Sequence, residues 1–264
     1  LKIEQVIQED GVKKHLSKAG TPTMGGIFFI PIAILVTLVW SNFSLITITI
    51  SLLTLAYMSI GWIDDWYILR RQSNLGLSPR TKLFLQITVA IVFCIWIKST
   101  QIITMNEIIL PGNIILEAGI LFWFLSVFVL VSESNAINLT DGIDGLAGGT
   151  GALTFLGLGI IILDTSSDLS IFCACIAGSC LGFLLHNSNP AKVFMGDTGS
   201  LALGGALAGV GILSGHFWEL FILSGIFFIE SLSVIIQVTY YKMTKDSQGL
   251  SLIHISEPTR LSGI

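Results

Sequence analysis

Apolar residues in this chain come in long unbroken runs, and the polar residues gather in short clusters between them. Eight runs stand out: Gly25 to Trp40, Leu45 to Ile63, Leu83 to Ile97, Gly119 to Val131, Leu146 to Leu163, Leu169 to Leu185, Thr198 to Ser214, and Phe217 to Tyr240. A hydrocarbon layer about 30 Å thick asks for roughly 20 apolar residues per helix, and about 17 suffice when flanking groups reach the interface. The shorter runs are expected to extend into the polar clusters beside them. Backbone N–H and C=O groups find no water in lipid, and these runs are too long and too evenly apolar for barrel strands, so each predicts a helix. The expected fold class is all-α, a polytopic transmembrane helical bundle with about eight spans.

Composition agrees: 53% of the 264 residues are hydrophobic and 11% charged, more apolar surface than a soluble core buries. A net charge of −4 with no basic stripe excludes nucleic acid as a partner. Cys94, Cys173, Cys175 and Cys180 lie inside apolar runs without zinc spacing, and are expected to pack helices. Leu1 to Lys18 is too polar for a secretory leader, and the absence of an initiator methionine points to an incomplete N-terminus. Positive loops stay in the cytoplasm. An inside N-terminus puts 12 of the 13 basic residues on the inner side and leaves Lys98 outside. The longest outer connection, Lys98 to Ala118, contains Pro111, Gly112 and Asn113, a turn signature for a small hairpin.

The same orientation gathers four polar clusters on the inner side. Asp64 and Asp65 end the second run, where carboxylates beside hydrocarbon need a counter-charge. A solvated, helix-ending pair beside Arg70 and Arg71 is the plain alternative. Asn135, Asn138, Asp141, Gly142, Asp144 and Gly145 crowd one connection, and capping explains one of its aspartates but not the set. Asn187 to Pro190 is followed by Gly196, Asp197, Thr198, Gly199 and Ser200, which puts Asp197 at a helix start, a suitable place for a metal-bound carboxylate near phosphate-binding N–H groups. Capping of the following helix is the alternative there. His15 to Gly26, with Lys18, three glycines and two threonines, forms a lead-in loop suited to phosphate but without a Walker pattern. Hard oxygen ligands from separate loops, with lysines and arginines nearby, match the needs of magnesium and a diphosphate. No Ser-His-Asp order, CxxC or HExxH supports another chemistry. Gly204, Gly205 and Gly209 are expected to pack helices. Glu230, beside Ser231 and Ser233, is the one carboxylate expected deep in a span, in an internal hydrogen-bond or packing role. A transporter is the competing class, although its acids would lie nearer the midplane.

At these residues the chain resembles the polyprenyl-phosphate N-acetylhexosamine-1-phosphate transferases. The stretches HLSKAGTPTMGG, the aspartate pair, NLGLSPRTK, NAINLTDGIDGLAGG, NPAKVFMGDTGSLALGG and IESLSVIIQV follow that family's order between Asp10 and Lys242. The GTPTMGG form is similar to the family's muramoyl branch, with the GlcNAc-1-phosphate transferases as runner-up. The resemblance implies transfer of phospho-MurNAc-pentapeptide from its UDP carrier to undecaprenyl phosphate, yielding lipid I and UMP, in the inner (plasma) membrane with the site on the cytoplasmic face. It implies Mg2+ as cofactor, held by Asp197 and Asp64. It also implies Asp64, Asp65, Asp197, Asn187 and Lys18 as catalytic residues, and Lys82, Asn135, Asn138, Asp141, Gly142 and Asp144 as substrate contacts; a homodimer is compatible with it. Asp64 would deprotonate or position the lipid phosphate for direct attack, or an aspartate would act as covalent nucleophile. The family has ten spans, so residues 1–245 are expected to form a single transmembrane transferase domain lacking the first and last. Residues 246–264, with the single His254, read as a non-native or read-through tail. Where the family often has a lysine three residues beyond the aspartate pair, this chain has Ile68, and Arg70 or Arg71 is expected to substitute.

Overall fold

In the computed structural model, which describes residues 21–71, 76–102, 107–112 and 114–244, the apolar runs fold into helices α1 (Gly26–Trp40), α2 (Leu45–Arg71), α3 (Pro79–Ser99), α4 (Ile120–Thr140), α5 (Leu146–Ile161), α6 (Ser167–Asn187), α7 (Gly196–Ser214), α8 (Phe217–Leu223) and α9 (Gly225–Thr244). Lys18 and the tail 246–264 with His254 lie outside the described residues. The connecting segments are local: Ser78 caps α3 by accepting the Thr81 N–H at 3.2 Å, with Pro79 in the first turn where no N–H is needed.

The all-α membrane bundle is as expected, but the count of full spans is lower. Five helices (α2, α3, α4, α6, α7) are long and apolar enough to cross a membrane among the described residues, and α8 with α9 makes a sixth. Helices α1 and α5, of 15 and 16 residues, are apolar but shorter. At 1.5 Å per residue each covers only about 22–24 Å, less than the hydrocarbon thickness. The last run is also not one helix. It breaks at Ser224, between α8 and α9, and turns by 62°. The Ser224 hydroxyl lies 2.7 Å from the Leu220 carbonyl and 2.7 Å from Glu133 Oε1 on α4, which fixes the break against the bundle.

Helix α7 is the centre of the bundle, buried at every residue from Asp197 to Ile212 and packed chiefly on α2 and α4. In lipid there is little hydrophobic drive between helices, so close van der Waals fit has to hold them together. The expected packing glycines supply it: Gly204 faces the Ser134 backbone, Gly205 the Tyr57 ring, and Gly209 the Ile50 and Leu53 side chains. Three cysteines are buried, and all four are free. Large apolar side chains such as Phe28, Trp40, Phe84, Phe128 and Leu185 point outward, as a lipid-facing surface requires.

The expected hairpin is present, as β1 (Glu107–Leu110) and β2 (Ile114–Glu117), paired antiparallel from Glu107 opposite Glu117 to Leu110 opposite Ile114. It docks on the end of α7, where the Ile109 N–H donates to the Gly215 carbonyl at 3.0 Å. At the opposite end of the bundle, the C-terminal ends of α2, α4 and α6 meet the N-terminal ends of α3, α5 and α7. Arg70, Arg71, Arg80, Lys82 and Lys192 belong to that end, while Lys98 sits at the far end of α3 over the Trp123 ring.

Candidate active site

Asp64 and Asp65 follow one another near the end of α2, so their side chains leave the helix about 100° apart and meet different partners. Asp65 turns to α7. Its oxygens accept from the Asp197 N–H at 3.2 Å, the Thr198 N–H at 3.0 Å and the Thr198 hydroxyl at 2.6 Å. The first N–H groups of a helix have no partners within it and carry partial positive charge. Helix α7 has no side-chain cap of its own, and Asp65 supplies one from α2. Gly196 makes room for it: φ is +73°, and a Cβ there would lie 2.6 Å from Asp65 Oδ2. One turn earlier on α2, Gly61 lets the two backbones touch, since a Cβ would lie 2.0 Å from the Asp197 carbonyl oxygen.

Asp64 turns to α3. It accepts from the Leu77 N–H at 2.5 Å and from the Lys82 ammonium at 2.9 Å. The same ammonium contacts Asp197 Oδ2, so one cation is shared by carboxylates from two helices. The other Asp197 oxygen accepts from the Asn138 amide at 2.8 Å, which also reaches Ser200 Oγ at 2.8 Å. The ion pair is partly shielded, the side chains of Asp64, Asp197 and Lys82 being 6%, 12% and 18% exposed. Arg70 and Arg71, expected to stand in for the lysine that Ile68 replaces, are both exposed at the end of α2, and Arg71 lies over the Tyr67 ring.

The other clusters close in around this centre. Asn187, buried at the end of α6, accepts from the Gly145 N–H at 3.0 Å and donates to the Val193 carbonyl at 2.9 Å. Asp144 accepts from the Ala191 N–H at 3.2 Å. The turn carrying Asp141, Gly142 and Asp144 is thereby tied to the loop before α7. The lead-in loop joins through Phe194 N–H to the Pro22 carbonyl at 2.8 Å and Gly25 N–H to the Phe194 carbonyl at 2.9 Å. Asn135 faces elsewhere. Its amide donates to Gln86 Oε1 at 2.9 Å and to the Val131 carbonyl at 2.8 Å, while Gln86 Nε2 donates back at 3.4 Å.

Two buried polar groups escaped the sequence reading. Gln86 is a lone amide in the Leu83 to Ile97 run, and that isolation was the available signal. Glu133 lies two residues beyond the apolar run that closes at Val131, beside the polar cluster that follows. Glu230 is therefore not the one carboxylate deep in a span: Glu133, in α4, is 1% exposed, and Glu230 is half-buried on α9.

Among the described residues, no three His, Cys, Asp or Glu side chains surround a common point as a metal site. Asp65 is engaged with the start of α7. Asp64 and Asp197 still present hard oxygen atoms to a single cationic atom, and an oxygen-preferring divalent ion suits that pair.

Comparison with known proteins identifies the family. The family model described as glycosyl transferase family 4 matches residues 47–215, and signature 1 of the phospho-N-acetylmuramoyl-pentapeptide-transferases matches residues 18–30. The chain is 63% identical over 249 residues to the protein of that name from Rippkaea orientalis, covering 94% of this chain and 68% of the relative. The Microcystis aeruginosa protein is 61% identical over 249 residues, 94% of this chain and 70% of its own length. The Gloeothece citriformis protein is 61% identical over 258 residues, 97% of this chain and 71% of its own length. With a buried carboxylate–lysine centre at the meeting point of six helix ends and this degree of identity, the chain belongs to glycosyl transferase family 4 and, within it, to the phospho-N-acetylmuramoyl-pentapeptide-transferases.

Proposed function

We propose that this integral membrane protein transfers phospho-MurNAc-pentapeptide from UDP-MurNAc-pentapeptide to undecaprenyl phosphate, forming lipid I and UMP for peptidoglycan synthesis. The observation that carries the reading is the Lys82 ammonium shared by Asp64 and Asp197, with Asn138 holding the second Asp197 oxygen. In the transfer, an oxygen of the lipid phosphate bonds to the sugar-side phosphorus as the bridging P–O bond breaks and UMP leaves.

Asp64 and Asp197 would hold Mg2+, which when bound draws charge off the diphosphate. Lys82, drawn toward phosphate oxygens, offsets their negative charge. Asp64 accepts the proton from the lipid phosphate or orients its oxygen for direct attack. Asp65 takes part by holding the start of α7, and so Asp197, in place. Asn138 fixes the Asp197 carboxylate, and Lys18 joins the phosphate contacts from the lead-in loop. Asn187 and Asp144 shape the loop that receives the nucleoside side, with Asp141 and Gly142 at its surface. The basic residues gathered at this end of the bundle support a cytoplasmic active site in the plasma membrane.

Asp197→Asn is expected to abolish Mg2+-dependent UMP release from UDP-MurNAc-pentapeptide in detergent. Full activity in that variant refutes the assignment. UDP-GlcNAc offered in place of the muramoyl substrate should release no UMP; release at a comparable rate would move the chain to the GlcNAc-1-phosphate branch.

A further inference from the structure

We infer that Gln86 and Asn135 are positioning residues, a paired-amide clamp inside the bundle that sets where the Lys82 ammonium sits. Gln86 lies four residues after Lys82 on α3, so the two share one face of that helix. Helix α3 is the least buried of the five long apolar helices, with 28% of its apolar stretch buried. Apolar contact alone therefore constrains its rotation and height weakly. Polar contacts do the rest. The Gln86 side chain is fully buried and exchanges hydrogen bonds with Asn135 on α4, at 2.9 and 3.4 Å. The Gln86 carbonyl accepts from the Tyr57 hydroxyl on α2 at 3.3 Å. At the far end, the Trp96 indole N–H donates to Thr49 of α2 at 3.1 Å.

The partner helix carries the same logic one turn on. Asn135 and Asn138 are three residues apart on α4, one engaged with α3 and the other with Asp197 and Ser200 of α7. Helix α4 thus sets α3 and α7 against each other, and with them the two ends of the Lys82–Asp197 contact. A rotation of α3 by one side-chain position would carry Lys82 away from both carboxylates and also break the exchange with the half-buried Asn135, leaving the buried Gln86 amide without its partner, which an apolar interior makes costly. Asn135 in this account touches no substrate.

The inference rests on the proposed role of Lys82, so its test has an arm independent of turnover. Gln86→Leu, Asn135→Leu and the double variant are made in the full chain. Steady-state UMP release is measured with both substrates, alongside reductive methylation of Lys82 followed by peptide mass spectrometry. Each single variant is expected to lower kcat about tenfold or more with the KM for UDP-MurNAc-pentapeptide within about twofold. The double variant should be no worse than the singles, since either one already breaks the pair. Lys82 should be methylated severalfold faster in all three. A raised KM with intact kcat in Asn135→Leu alone would make Asn135 a substrate contact and overturn the clamp. Unchanged Lys82 methylation would overturn it even if the chain released no UMP at all. Should the leucine variants fail to fold, Gln86→Asn, too short to span the gap, gives the same readouts.

Discussion

Replacing Gly61 by alanine tests the contact on which the carboxylate geometry depends. The added Cβ would lie 2.0 Å from the Asp197 carbonyl oxygen, 2.3 Å from its carbon and 2.6 Å from the Thr198 nitrogen. All three atoms are backbone, so no side-chain rotation can relieve the clash. Restoring ordinary contact distances requires α2 and α7 to separate by roughly 1 Å or more. Forcing a carbon into a packed interior costs about 1–3 kcal/mol. The functional loss is expected to be larger, because a displacement of that size near the reacting groups lowers rate by about a hundredfold. UMP release from UDP-MurNAc-pentapeptide and thermal unfolding in the same detergent measure the two effects. Gly178→Ala on α6 is the control: nothing lies within 4 Å of its Cβ, and activity should persist with Tm equal or slightly raised. Activity within twofold of the parent in Gly61→Ala, with an unchanged Tm, would refute the claim that this backbone contact sets the site.

The remaining expectations concern the carboxylates and the broken span. Asp65→Ala removes the acceptor for three donors at the start of α7 and should lower stability by about 1–3 kcal/mol along with activity, whereas Asp64→Asn should lower activity with little change in Tm. Excess Mg2+ should raise the Tm of the parent in a chelator-reversible way and leave Asp197→Asn unmoved; equal shifts in both would place the ion elsewhere. Ser224→Ala strips Glu133 of its hydroxyl partner inside the bundle and should cost about 1–3 kcal/mol, while the pair Glu133→Leu with Ser224→Ala recovers most of it. A lower Tm in the double variant than in Ser224→Ala would show that the carboxyl serves something beyond this contact.

The polar clusters between apolar runs were legible because lipid tolerates so few polar residues that each one stands out. That rarity led from sequence to Asp64, Asp65, Asn138, Asn187 and Asp197, and to the turn at Pro111 and Gly112. The division of labour between Asp64 and Asp65 was not legible. It follows from the helical step between neighbours and from which helix stands on each side, a property of the packed bundle. Gln86 and Glu133 were lost for a related reason: a single polar residue in a long run barely alters its apolar character, and its meaning lies in a partner 49 or 91 positions away. The break at Ser224 was hidden because serine and glycine are ordinary inside membrane helices; only the lateral contact to α4 distinguishes this pair.

The burial of α7 between α2 and α4 bears on how the chain is assembled. It is the least apolar of the candidate spans and emerges from the ribosome after both of its neighbours. Helices made earlier must leave a slot for a latecomer that is poorly suited to facing lipid alone, and docking in that slot is what brings Asp197 beside Asp64. Insertion of α7 and assembly of the carboxylate–lysine cluster are then one event, so a chain halted before residue 196 would sit in the bilayer without Asp197 and without the partner that Asp64 shares through Lys82.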